Sequence, residues 1–572
     1  MRIMKRRWMI IVPATVLVTA VVPTLASAAA AAPAAPTSPA ASRSWHPWID
    51  CGSETKNFTC ADVYDPTAIG YGKYVGHDEP SALFYSHKPG SGNNNVTLIR
   101  LPKDPPVAAS QSGTGGTDNF QLNPAFWFGM AMCDTQSFPE ATRTCTPDSD
   151  GNIYNSPDPS SPRYIGKHPG TAFMEMQFYP PGWVSWPPGT SCAATQWCAA
   201  LNIDSYSSDP AGVDNNTACL RSAGVEPVNF AFITKNGHAQ APANPVDATT
   251  ATFTPDAAKD LLMNSGDVID LSMHDSRAGF QVIISDLTTH KSGSMTAGPA
   301  NGFGQVLYQP TSASCNVAPY AFHPMYSTSS PATRVPWSAH SYNVAMADEI
   351  GHFEYCNAVD PGTGNCTSPG ASDPGGPDSD DVGCFPAPDS LRVPITGCLG
   401  ADGDFDGPPY LDDWPGTGTP RRDRRYDPQP ITFTSPVFNG AERYSQVAFE
   451  ADLPRIEYPD FGGNCNGTTG ANCVNPPPGS QFYPIFSTAL PGGGSASAAL
   501  SAAARQHGRG ACVWRLGGPT MPGTARNFGG SSATEFSQHL LRLVYPSVNG
   551  SSQPAPEFKY EDFRNVLASN PC

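Results

Sequence analysis

A chain of 572 residues with 54 Gly, 61 Pro and only 15% charged residues is turn-rich yet apolar enough for a large core. That composition excludes a disordered chain and a mainly helical one, and it favours one large or two ordinary all-β domains. The formal net charge of −17 repels nucleic acid and anionic membranes, which excludes both as partners and leaves carboxylates for cations or acid–base work.

Residues 1–28 have the form of a signal peptide. Arg2, Lys5, Arg6 and Arg7 make a basic start, an apolar run follows, and Ala26-Ser27-Ala28 is a small-residue cleavage signature. The run is too short for a membrane anchor, so a secreted, extracellular protein is expected. Residues 29–44 form an Ala/Pro/Ser linker with no core-forming pattern. All 16 cysteines lie beyond it, and close pairs such as Cys51/Cys60, Cys133/Cys145, Cys192/Cys198 and Cys465/Cys473 suit local disulfides. Six Asn-x-Ser/Thr sequons occur, at Asn57, Asn95, Asn215, Asn365, Asn466 and Asn549.

From residue 45 to 356 short stretches rich in β-branched and aromatic residues recur between Gly, Pro, Asn and Asp turns: NVTLIRL, PAFWFGMAM, TAFMEMQFY, VNFAFIT, DVIDLSM, GFQVIISDL and GFGQVLY. This is the pattern of a mainly β domain, a concanavalin A-like or jelly-roll sandwich. One helix is expected before residue 320, with Thr254 as cap, Pro255 in first position and DAAKDLLMN after it.

TAFMEMQFY carries the most chemistry. Period two puts Ala172, Met174, Met176 and Phe178 on a core face and Phe173, Glu175, Gln177 and Tyr179 on the other. Aromatics beside a carboxylate and an amide suit the groove of a sugar- or peptide-binding sheet, and Trp183 and Trp186 follow as candidate stacking platforms. In DVIDLSMHD, Asp270, Ser272 and His274 alternate with Ile269, Leu271 and Met273 in the same way. If the two strands share a sheet, Glu175 and Asp270 form the carboxylate pair that glycoside hydrolysis needs, with Phe173, Gln177, Tyr179, Trp183, Trp186 and His274 binding substrate.

The segment GDVIDLSMHDSRAGFQVIISDLTTHKSGSMT (266–296), with FMEMQFYP before it, resembles concanavalin A-like sandwich proteins and among them the glutamic peptidases. The resemblance implies a secreted acid enzyme working through a Gln–Glu dyad. Neither dyad residue is matched by motif, although Glu175 lies in the matching strand.

Further along, WSAHSYNVAMADEIGHFEYC (337–356) gathers His340, Asp348, Glu349, His352 and Glu354 without the spacing of a zinc signature. Residues 357–430 form a loop-rich insertion dense in Pro, Gly, Asp and Ser. Within it ADGDFDGPPYLDD places Asp402, Asp404, Asp406 and Asp413 at positions 1, 3, 5 and 12 of a calcium loop, with Gly407 at the bend. Pro408, Pro409 and Pro415 forbid an exiting helix, so a lone structural Ca²⁺ is expected. The second β-rich region, 431–572, continues with ITFTSPVF, SQVAFEADL, QFYPIFST and ACVWRL, and short helices are expected in FSQHLLRLVY, behind the capping box Ser532-x-x-Glu535, and in KYEDFRNVLA.

No G-x-S-x-G elbow, Walker A loop or dinucleotide fingerprint occurs. The functions this leaves are a secreted polysaccharide-cleaving enzyme with paired carboxylates, a glutamic-type acid peptidase acting on protein, and a non-catalytic glycan-binding surface protein.

Overall fold

The structure, a computed structural model, describes residues 228–324 continuously. Around them it describes 60–63, 125–136, 171–181, 344–349, 356–359, 366–369, 431–452, 486–489, 512–516 and 540–544, most of 81–104, 193–205, 500–504 and 557–566, and a few single positions. The chain is mainly β, and two antiparallel sheets pack face to face as a sandwich. In chain order the strands that build it are β1 (Ser81–Tyr85), β2 (Asn94–Arg100), β3 (Ala125–Cys133), β4 (Thr171–Tyr179) and β5 (Gln196–Ser205). There follow β6 (Val228–Phe232), β7 (Val268–His274), β8 (Phe280–Asp286), β9 (Lys291–Ala297) and β10 (Val344–Glu349). The last are β11 (Thr432–Thr434), β12 (Gln446–Asp452), β13 (Phe486–Ala489), β14 (Val513–Leu516) and β15 (Asp562–Val566).

The first sheet runs β15-β12-β1-β10-β3-β4-β5-β6 and the second β9-β8-β7-β2-β11-β14-β13. Strands from both ends of the chain enter each sheet: β1 pairs with β12, and β2 pairs with β11. Strands of the 45–356 stretch and of the second β-rich region, 431–572, thus share both sheets.

Alternation decides which residues meet between the sheets. Ala172, Met174, Met176 and Phe178 of β4 share one buried cluster with Ile269, Leu271 and Met273 of β7 and Val282 and Ile284 of β8. Aromatic rings cross the gap edge to face. Phe84 of β1 meets Phe433 of β11 at 6.4 Å and Trp514 of β14 at 5.8 Å, and Phe128 of β3 meets Phe433 at 5.9 Å.

One side of the sandwich is closed by the chain itself. After β6, Thr234 exchanges backbone hydrogen bonds with Ser294 of β9, Ser294 N–H donating at 2.9 Å. Gly293 permits this approach, since a Cβ there would meet Leu261 Cβ and the Thr234 carbonyl at 2.9 Å each. At an end of the sandwich residues 320–324 form a strap. The Phe322 N–H donates to Ala297 O at 3.0 Å and the Cys133 N–H to His323 O at 2.9 Å, which ties β9 of one sheet to β3 of the other.

Three expected helices change. The helix before residue 320 is α1 (Thr250–Phe253), and Thr254 closes it instead of opening it. The following DAAKDLLMN is turn and strand: Leu261 and Met263 are fully buried, the Leu261 N–H donates to Ile233 O, and Met263 pairs with Trp197. The two short C-terminal helices are strands. Leu540–Val544 pairs with Cys60–Val63 and with Glu557–Tyr560, and β15 pairs with β12. Local helix signals lose here to pairing partners that lie elsewhere in the chain, as far as Cys60–Val63 from Leu540–Val544.

Cys219 and Cys315 form a disulfide across a separation of 96 residues, wider than any of the close pairs expected. Cys133, Cys198 and Cys512 are also disulfide-bonded. Asn216 braces the bridge, accepting the Cys219 N–H at 2.9 Å and donating to Ser314 O at 2.8 Å.

Candidate functional site

β4 sits between β3 and β5, so its outward residues are flanked on both sides. Glu175, Gln177 and Tyr179 stand on that outer face and are joined in one chain of hydrogen bonds. The Asn202 amide of β5 donates to the Tyr179 hydroxyl at 3.3 Å, Tyr179 donates to Gln177 Oε1, and Gln177 Nε2 donates to Glu175 Oε2. Every donor points the same way, and the chain ends on the carboxylate. Glu175 keeps 7% exposure, against 1% for Gln177, 3% for Tyr179 and 1% for Asn202, so the carboxylate is the member nearest solvent.

The register fixes what surrounds it. Glu175 stands opposite Asn202 on one side and Gly129 on the other, and Ala345 of β10 follows Gly129. Gln177 stands between Ala200 and Trp127, with Ala347 beyond. The inner faces of β3 and β10 carry Phe126, Phe128, Met130, Met132, Val344 and Met346, all buried in the core. In the rows of Glu175 and Gln177 the outer positions are Gly129, Ala345 and Ala347 around Trp127. On the β5–β6 side the same face packs Tyr179, Cys198, Ala200, Phe230 and Phe232 into a second apolar cluster against Phe253 and Leu262.

Of the expected site residues, the structure brings together Glu175, Gln177 and Tyr179. Phe173 lies on β4 opposite Asp204. Asp270 does not join them. It lies on β7, in the other sheet, opposite Leu98 and Ser285, and alternates with core residues Ile269 and Leu271. Glu175 and Asp270 thus face outward on opposite sides of the sandwich, and the expected carboxylate pair does not form. His274 shares the outer side of β7, opposite Asn94 and Gln281. Sheet membership, which no local pattern encodes, separates them.

Trp183, Trp186 and the calcium-loop residues Asp402, Asp404, Asp406 and Asp413 lie outside the described residues, as do His340, His352 and Glu354. Asp348 and Glu349 end β10, opposite Phe126 and Ala125. Among the described residues no group of three or more His, Cys, Asp or Glu is placed to hold a metal. Asn202 and Asp204 were not singled out from the sequence; the only signal for them is the alternation of QWCAALNIDS, which becomes informative once β5 is known to pair with β4.

No family model matches the sequence, and no curated protein does. Among solved structures, the crystal structure of Scytalido-glutamic peptidase with a peptide based transition state analog is similar over 70% of this chain and 98% of that one, at 9% identity. The TM-score is 0.18, too low to carry an assignment.

Proposed function

We propose that the protein is a secreted hydrolase that cleaves peptide bonds, with Glu175 as the proton-transferring group. The observation that supports this reading is the coupling of a nearly buried carboxylate to a fixed amide: Gln177 Nε2 donates to Glu175 while Tyr179 holds the Gln177 carbonyl. A carboxyl group so oriented can serve as base and then as acid. It takes a proton from water as the water oxygen attacks the peptide carbonyl carbon. It returns that proton to the leaving nitrogen as the C–N bond breaks. Gln177 keeps the carboxylate aimed during both transfers, and its own aim is set by Tyr179.

One observation favours a second reading, cleavage of an extracellular polysaccharide. Asp204 stands opposite Phe173, one register step from the Glu175–Asn202 pair. Alternation places residues 204 and 202 on the same face of the β4–β5 pair as Glu175, and glycoside hydrolysis uses two carboxylates on one site. Asp204 then replaces Asp270 as the partner carboxylate.

The test is one assay series. The purified protein is incubated with a denatured protein and with a polysaccharide panel from pH 3 to 7, beside Glu175→Gln and Asp204→Asn. Peptide release that falls roughly a hundredfold or more in Glu175→Gln, and stays in Asp204→Asn, supports the first reading. Reducing sugar lost in both variants supports the second. Full activity in a folded Glu175→Gln protein removes Glu175 from either.

A further inference from the structure

Asn202 has one hydrogen-bonding atom that the fold does not use. Its Nδ2 is committed to the Tyr179 hydroxyl at 3.3 Å, whereas among the described residues no group donates to its Oδ1, although the residue is only 1% exposed. A buried amide oxygen without a donor is costly, and folded proteins rarely leave one. The direction of the chain explains why the oxygen is spare. Tyr179 spends its proton on Gln177, so it can only accept from Asn202, and the Asn202 carbonyl must turn elsewhere.

The position of that oxygen is specific. Asn202 stands directly opposite Glu175 in the β4–β5 register, and cross-strand side chains on one face begin about 4.5–5.5 Å apart. The rest of the row offers no side-chain donor: Phe230 lies beyond Asn202, and Gly129 and then Ala345 lie beyond Glu175. An acceptor with no partner thus sits beside the carboxylate proposed to do the chemistry.

We propose that Asn202 anchors substrate, its Oδ1 accepting a backbone N–H of an extended peptide that lies beside Glu175. This rests on the peptide-cleaving reading given above. In an extended chain the N–H and C=O of one residue point to the same side, which is why paired residues in a sheet exchange both. Anchoring the N–H of a residue at Asn202 therefore presents the carbonyl of that same residue toward Glu175. The scissile bond is the one that follows the anchored residue, and the site requires that residue to carry an N–H.

A cycle between substrate and enzyme tests this. A peptide cleaved by the wild-type protein is compared with the same peptide N-methylated at the residue that supplies the scissile carbonyl. Both are assayed with wild type and with Asn202→Leu, and urea midpoints verify folding. Losing one hydrogen bond to a buried acceptor corresponds to about a tenfold fall in kcat/KM, up to a hundredfold. Wild type should lose that factor on N-methylation, Asn202→Leu should lose it on the parent peptide, and the two losses should not add. Equal N-methyl penalties in both proteins, or an unchanged kcat/KM in Asn202→Leu, overturn the anchoring role. If Asn202→Leu does not fold, the wild-type comparison decides, and indifference to N-methylation overturns the proposal. Failure of the underlying reading looks different: wild type then releases no peptide, or Glu175→Gln is as active as wild type.

Discussion

Asp260 is a carboxyl group held without solvent. It is fully buried, accepts the Asp256 N–H at 2.6 Å through Oδ2, and receives no hydrogen bond at Oδ1 from the described residues. Burial pushes its pKa from 3.8 up to about 6, against the pull of the Asp256 N–H. The folded-state pKa lies above the unfolded value, so the protonated form is the one the fold prefers. The resulting stability is fully present below pH 3.8 and is lost as pH rises through about 6. Asp260→Asn keeps an acceptor for Asp256 and never ionises. It should be more stable than wild type at pH 7 by up to about 3 kcal/mol, with the gap closing near pH 4. Urea midpoints at the two pH values read this directly; a gap that does not change with pH removes Asp260 as its source. Asn95 teaches a related lesson. It heads an Asn-Val-Thr sequon, yet it is fully buried on β2 opposite Met273 and Phe438, so a glycan there is incompatible with the sandwich.

At the scale of elements, the strap at 320–324 carries an ion pair beside its backbone hydrogen bonds. His323 Nδ1 lies 2.7 Å from Asp275 Oδ1, just past the end of β7. The Asp275 carboxylate raises the imidazole pKa above 6.5, mainly through that hydrogen bond and against partial burial. The pair therefore contributes fully below pH 6.5 and is lost as pH climbs past the raised value. In Asp275→Asn the Phe322 and Cys133 amides, which tie the strap to the two sheets, should exchange hydrogen faster at pH 6, and the difference should shrink at pH 9. Unchanged protection at pH 6 means that the backbone bonds hold the strap alone. The same elements show what was legible beforehand. TAFMEMQFY, DVIDLSM and GFQVIISDL are strands because alternation on one strand is a local property, and Glu175, Gln177 and Tyr179 share a face for the same reason. Which strand lies beside which is not local. Asn202 therefore carries no local signal, Asp270 falls in the other sheet from Glu175, and LLRLV is a strand paired with CADV and EFKY although its local pattern predicts helix.

At the scale of the whole molecule these ionisations point one way. Asp260 is displaced upward by burial, His323 by Asp275, and Asp267 by burial and then by the neighbouring Asp286, against the Asn264 N–H. Their partners differ, Asp256 for Asp260, Asn264 and Asp286 for Asp267, and Asp275 for His323, so their effects should add. Each raised pKa means that the folded state binds a proton more tightly than the unfolded chain, and stability therefore grows as pH falls through these values. Charge works in the same sense, because protonating carboxylates relieves the self-repulsion of a chain that carries −17. Asp256, whose pKa is lowered by Lys259, opposes this only at the surface. The free energy of unfolding should thus rise between pH 7.5 and pH 5, with Asp260 alone contributing about 1 kcal/mol. A urea titration at each half-unit of pH measures the slope, and Asp260→Asn combined with Asp275→Asn should flatten it. A midpoint that falls steadily from pH 7.5 to 5 contradicts the argument, because carboxylates paired in the native state would then outweigh those that burial keeps protonated. A slope in the expected direction places the stability maximum on the acid side, where a carboxyl that must hold and return a proton also has its working range.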